Sequence, residues 1–423
     1  MRVHLAYGDG RLQVELEEAG VRVVEPRFRA GVGDPPAFLA ETLRRPIGCA
    51  RLRETVRPGQ TVAVAICDGT RPQPRELMLR ALLEELAPVS RPEDLVVIVA
   101  TGTHRPNTGP ELRAMLGEDL AGRLAVVNHD GGDPSELQWC GRLGADVPVW
   151  LNRTWLAADV RITTGFAEPH MFAGFSGGPK LVAPGMAALD TVLTLHDSAR
   201  IAHPRATWAV TSGNPIHDDV RAIAAATGVD FAFDVVLNRD QQVVGAFAGE
   251  VFAMHAAACS LARELSVQPV DAPFDVVLTS NSGYPLDQNL YQCVKGISAA
   301  AQVVRPGGTI LCAGECRDGF PDHGRFKELM SGSPSPEALL SSIEGQVKTV
   351  HDQWEAQILA RVQRNATVLM HTDHLAPDAL RAAHLVPCPD LEAAVDAARR
   401  RVGSSATVCV LPEGPQTVPI LAS

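Results

Sequence analysis

Residues 61–72 read TVAVAICDGTRP, a short apolar run that ends in a polar turn. A run without alternation fits a strand buried on both faces, as in a parallel sheet covered by helices. In open α/β sheets ligands gather beyond the carboxyl ends of the strands, so the placement of Asp68, Thr70 and Arg71 matters as much as their chemistry. Residues 76–86 then carry an amphipathic helical pattern. The arrangement recurs at 95–106, LVVIVATGTHRP, which runs into a helix around 111–116. Two strand–turn–helix units that each set polar side chains at a strand's carboxyl end point to an α/β fold with a ligand site along that edge. Read alone, the first turn is equally a loop with an exposed arginine, and His104 equally a helix-capping residue.

Working outward, residues 124–130 and 147–151 read as further strands, and 159–165 leads into residues 168–196, EPHMFAGFSGGPKLVAPGMAALDTVLTLH. Gly174, Gly177, Gly178 and Gly185, with Pro179 and Pro184, are too dense for a helix or strand, so a shaped loop is expected. Successive backbone N–H groups in such turns make anion-binding nests. Lys180 lies in the loop, His170 at its start, and His196 at the end of a helix predicted over 187–195, so the three are expected in one neighbourhood. His129 has no partner in the pattern and reads as structural. In the other direction, residues 1–30 alternate as a β-hairpin about Asp9-Gly10, and 35–43 as a short helix.

Residues 231–238 and 242–249 read as a hairpin and 251–265 as a helix. The segment 268–274, QPVDAPF, marks a domain boundary by composition. A new α/β unit starts at 275–280 and reaches PLDQNLYQCVKG at 285–296, where Tyr291 and Lys295 share a helix face. Strands at 309–314, 368–370 and 407–411 and a helix opening at Gln353-Trp354 complete it. The expected domains are 1–268, with the C-terminal strand 405–423 able to return to it, and 274–400.

The motifs DGTRP at 68–72, TGTHRP at 101–106, HMFAGFSGGPK at 170–180 followed by His196, and PLDQNLYQCVKG together resemble the lactate racemase family, the nickel-pincer-nucleotide enzymes. The resemblance implies two α/β domains with mixed and parallel sheets and an active site in the interdomain cleft. It implies catalytic roles for His104 and His170, and substrate binding by Arg71, Gln292 and Lys295. It further implies a nickel-pincer nucleotide linked covalently through Lys180, with His196 ligating Ni(II). Cofactor contacts are implied for Asp68, Thr70, Gly177, Gly178, Tyr291 and Trp354, and so are maturation proteins that supply the cofactor. The expected reaction is racemisation of lactate or a similar short-chain 2-hydroxy acid by reversible hydride transfer from C2, one histidine taking the hydroxyl proton and the other returning one. Arg71 is the residue type that clamps a carboxylate with a planar fork. The competing readings are a C2 epimerase of longer sugar acids, a metal hydrolase built on His104, His170 and His196, and a non-catalytic binding protein.

Composition narrows the rest. A chain of 423 residues, 46% hydrophobic and 21% charged, has the makeup of a globular protein of about two domains. Its net charge of -11 argues against a nucleic-acid partner, while leaving room for a small anion bound by a local arginine. The nine cysteines are scattered without a CxxC pair, which argues against a structural zinc site and fits reduced thiols. No leader-like apolar segment or membrane-length run is present, so a cytoplasmic protein is expected.

Overall fold

The computed structural model describes residues 1–321 and 324–422. The chain divides into two compact units: one of Phe28–Leu195 and Pro204–Glu264, the other of Met1–Arg27, His196–His203 and everything from Leu265 onward.

The unit around Phe28–Leu195 is built on a six-stranded sheet ordered Val243–Gly249, Phe231–Leu237, Val160–Phe166, Val62–Cys67, Leu95–Ala100, Ala125–Asn128. All neighbours are parallel except the edge pair Phe231–Leu237 and Val243–Gly249. Every residue of Val62–Cys67 is buried, which is why that run is apolar without alternation. The helix Arg75–Leu86 lays Met78, Leu79, Leu82 and Leu86 into the core. Burying side chains of this size contributes about 1.5–3 kcal/mol each. The expected strand at 147–151 is Val147–Asn152, but it pairs with Leu137–Leu143 in a separate hairpin. The helix expected near 111–116 runs over Gly109–Arg123, broken at Gly117, whose φ is 76°.

The second sheet is parallel throughout and ordered Val386–Pro387, Thr367–His371, Val304–Ala313, Phe274–Ser280, Val408–Leu411, Val21–Val23. Its membership corrects the domain expectation at one place and decides it at another. The hairpin Arg2–Tyr7/Gly10–Glu15 forms as read, but residues 1–27 belong with the C-terminal half, because Val21–Val23 pairs with Val408–Leu411. The C-terminal strand, able to join either domain, lies in the second, since Val408–Leu411 runs beside Phe274–Ser280. Within the expected boundary segment, Val267–Val270 is itself a strand, paired with Val418–Leu421. Ser423 lies outside the described residues. Among the described residues no helix is long and apolar enough to cross a membrane.

Candidate active site

Three neighbouring strands of the first sheet end in the expected motifs. Val62–Cys67 runs into Asp68–Arg71, Leu95–Ala100 into Thr101–His104, and Val160–Phe166 into the loop that starts at Ala167. Asp68 is buried, and its Oδ2 meets His104 Nδ1 at 2.6 Å. Burial alone would push the Asp68 carboxyl up. The His104 imidazole, Arg71 and the Thr70 hydroxyl outweigh it and hold the carboxyl down at about 2. An ionised Asp68 accepts a hydrogen bond from Nδ1–H of His104, which leaves Nε2 as the working atom of the ring. Thr70 Oγ1 donates to Asp68 Oδ1 at 2.8 Å. Asp68, expected with Thr70 at the cofactor, therefore bonds both Thr70 and His104.

Arg75 was not foreseen, because an arginine opening an amphipathic helix ordinarily faces water. Here it is buried, and its guanidinium donates to the carbonyls of Cys67, Gln73, Asp68 and Arg71. Gln73 adds a second tie, accepting from Cys67 N at 2.8 Å and donating to Thr164 Oγ1 at 3.0 Å. The turn is thus held from beneath while Arg71 stays half-buried, with no carboxylate in ion-pair range among the described residues. Such an arginine is available to an anionic ligand.

In the glycine-rich loop, His170 pairs across a two-residue ladder with Gly174. Its Nδ1 accepts from Ala173 N at 3.5 Å, and its ring meets Phe172 edge-on at 4.4 Å. The Lys180 Nζ lies 6.0 Å from the centroid of the same Phe172 ring, so His170 and Lys180 both neighbour Phe172. An aromatic inside a Gly-rich loop was the available signal for it. Gly102 N donates to Gly185 O at 2.9 Å and ties the His104 turn to this loop. His129 is structural: Nε2 bonds Ala187 O at 3.0 Å, and Asn152 Nδ2 donates to Nδ1 at 3.3 Å.

His196 groups with the second unit, whereas His170 and Lys180 lie in the first. Residues 196–203 dock on the helix Gln353–Asn365 through Gln357 Nε2 to Ser198 O, 2.9 Å, and Arg361 Nη1 to Ile201 O, 3.0 Å. The buried His196 ring packs on Trp354 at 4.7 Å, and Trp354 Nε1 donates to Tyr291 Oη at 3.1 Å. His196, Trp354 and Tyr291 are thus brought together. Beside Tyr291, Asn289 caps the helix Leu290–Ala300 by accepting from Gln292 N. Lys295 Nζ donates to Gln292 Oε1 at 2.6 Å. Among the described residues no three His, Cys, Asp or Glu side chains converge in a set able to hold a metal ion.

Comparison with known proteins places this geometry. The family described as lactate racemase N-terminal domain matches residues 7–209, and the lactate racemase C-terminal domain matches 270–418. A lactate racemase of Thermoanaerobacterium thermosaccharolyticum is 34% identical over 421 residues, 97% of each chain. One of Lactiplantibacillus plantarum is 36% identical over 376 residues, 88% of each. The solved lactate racemase apoprotein of T. thermosaccharolyticum superposes with a TM-score of 0.92 at 32% identity over 100% of both chains. A protein of Thermotoga maritima, 20% identical with a TM-score of 0.70 over 93% of this chain and 100% of its own, shares the fold.

Proposed function

Because this chain belongs to the lactate racemase family, we propose that it racemises lactate or a similar short-chain 2-hydroxy acid with a nickel-pincer nucleotide. The chain is an isomerase by that membership. The observation that carries the substrate class is one turn holding Arg71, with no carboxylate in ion-pair range among the described residues, beside the Asp68–His104 pair. A 2-hydroxy acid has one group for each: a carboxylate for a guanidinium fork and a hydroxyl for an oriented imidazole.

The donor set fits the cofactor. With no cluster of protein ligands among the described residues, a metal at His196 would need most of its ligands from elsewhere, as a pincer provides. Imidazole suits nickel, and Trp354 fixes the His196 ring. Lys180 would tether the cofactor through its amine, with Gly177 and Gly178 lending close backbone approach. Tyr291 and Trp354 would line its surroundings. When bound, the cofactor supplies reversible acceptance of the C2 hydrogen as hydride.

The chain's own residues do the rest. Arg71, with Gln292 and Lys295, would hold the substrate. His104 would accept the hydroxyl proton at Nε2, its imidazolium steadied by Asp68 as in other carboxylate–histidine pairs. His170 would perform the same service for the other enantiomer, near-neutral imidazoles being able to act in both directions. The test is a chiral panel of 2-hydroxy acids with cofactor-loaded protein, paired with mass spectrometry of the Lys180 peptide. Activity toward lactate or another short 2-hydroxy acid is expected, with a mass added at Lys180. Turnover of none of the panel by nickel-loaded protein would overturn the reading.

A further inference from the structure

Beneath the Lys180 turn lie buried polar groups with no part in the proposed proton transfers. Asp234, on Phe231–Leu237, stands opposite Gly165 in register and has no exposed surface. Its Oδ2 accepts the N–H of Gly178 at 2.7 Å, and a Cβ added at Gly177 would collide with that same oxygen. From the other side comes His255, on the helix Val251–Ser266. Its Nε2 donates to Ser176 O at 2.8 Å, and its ring lies so close to Gly178 that a Cβ there would come within 2.7 Å of Cγ. A carboxyl and an imidazole from two separate elements thus grip residues 176–178, immediately before Pro179 and Lys180. Gly177 and Gly178 hold φ of 82° and 50°, a region where side chains are disfavoured.

Holding this turn is costly to the core. Burial pushes the Asp234 carboxyl up to about 7 against the pull of the Gly178 and Gly165 amides, and among the described residues its Oδ1 has no partner of good hydrogen-bond geometry. An apolar residue at such a position is commonly neutral or stabilising. The geometry says what is gained in return: the direction in which the chain leaves Gly178, and with it Lys180.

We propose that Asp234 and His255 are positioning residues for Lys180, locking the Ser176–Gly178 turn so that the amine is presented in one orientation. The inference rests on the reading of Lys180 as the cofactor tether. It is tested on the apoprotein first, by acetylating lysines with an activated acetyl ester and following Lys180 against exposed Lys348 by peptide mass mapping. The variants are Asp234→Ala, Asp234→Asn, which keeps an oxygen for the Gly178 N–H, His255→Phe, which keeps the ring, and His255→Gln, which keeps a donor. In Asp234→Ala and His255→Phe, the Lys180 rate should change and the fraction of Lys180 modified on cofactor loading should fall about tenfold or more, since misplacement of a reacting group by an ångström has effects of that order. Asp234→Asn and His255→Gln should restore both values. Should Asp234→Ala not fold, the His255 pair carries the same comparison. Folded Ala or Phe variants that label and load as the parent does would overturn the proposal, and so would conservative variants that fold without restoring either value. If active loaded parent carries an unmodified Lys180, the tether reading falls, while apoprotein labelling still judges the clamp.

Discussion

Replacing Asp68 with Asn removes one charge and almost no volume, which makes it a direct test of the Asp68–His104 pair. The carboxyl is held from its ordinary 3.8 down to about 2 although it is buried. About two pKa units at 1.36 kcal/mol each is roughly 2–3 kcal/mol of preference for the ionised form. That is a net figure: burial opposes it, and Arg71 and Thr70 share in it with His104, so it sets only the order of magnitude for the pair. If His104 becomes cationic in the transition state and Asp68 steadies it, kcat/KM at neutral pH should fall about a hundredfold. Racemisation would be followed from each enantiomer by chiral chromatography, with nickel content and melting temperature measured alongside. A folded, nickel-loaded Asp68→Asn protein within about threefold of the parent would refute the reasoning. The sign of the stability effect is fixed as well. A group whose folded pKa is depressed contributes stability that is complete above its unfolded value near 3.8 and is lost as pH falls toward about 2. The parent's advantage over the variant should therefore be present at neutral pH and shrink away below about pH 4.

His196→Ala should lower nickel stoichiometry on loading with little change in the fold, read by metal analysis and circular dichroism; full nickel occupancy would remove His196 as a ligand. Arg71→Lys keeps the charge but loses the planar fork, so kcat/KM for lactate should drop by about tenfold or more, with parent-like kinetics moving the carboxylate clamp elsewhere. Racemisation in deuterated water should give product that keeps its original C2 hydrogen, because only the hydroxyl proton visits an imidazole. Deuterium at C2 would point to proton abstraction from carbon instead.

The central strands of both sheets were legible because buried parallel strands read as unbroken apolar runs, and Val62–Cys67 and Leu95–Ala100 fall within a residue of their expected bounds. The residues after those strands stood out as a candidate site because strand ends are where such folds bind ligands. Long-range pairings were not. Nothing local in VRV at 21–23 says that it completes a sheet beside 408–411. Arg75 was hidden because its partners are backbone carbonyls, which every sequence supplies alike. Asp234 read as one polar residue inside a strand, its meaning set by Gly178 from 56 positions away. His196 was legible as chemistry, but its packing on Trp354 depended on a helix that begins at Gln353.

The pairing of Val21–Val23 with Val408–Leu411 also has a consequence for biosynthesis. Residues 21 and 408 are 408 − 21 = 387 positions apart, and a ribosome adding about 5–20 residues each second needs roughly 20–80 s to cover that distance. The sheet that carries Asp68, His104 and Asp234 has its last strand once Gly249 has emerged. For all the time that follows, the second sheet has an early edge strand with no neighbour, exposing Val21 and Val23 and their backbone donors. Unpaired edges of this kind invite association with other chains, so slowed translation beyond residue 249 should lower soluble yield, and shielding of the nascent N-terminus by a chaperone should restore it.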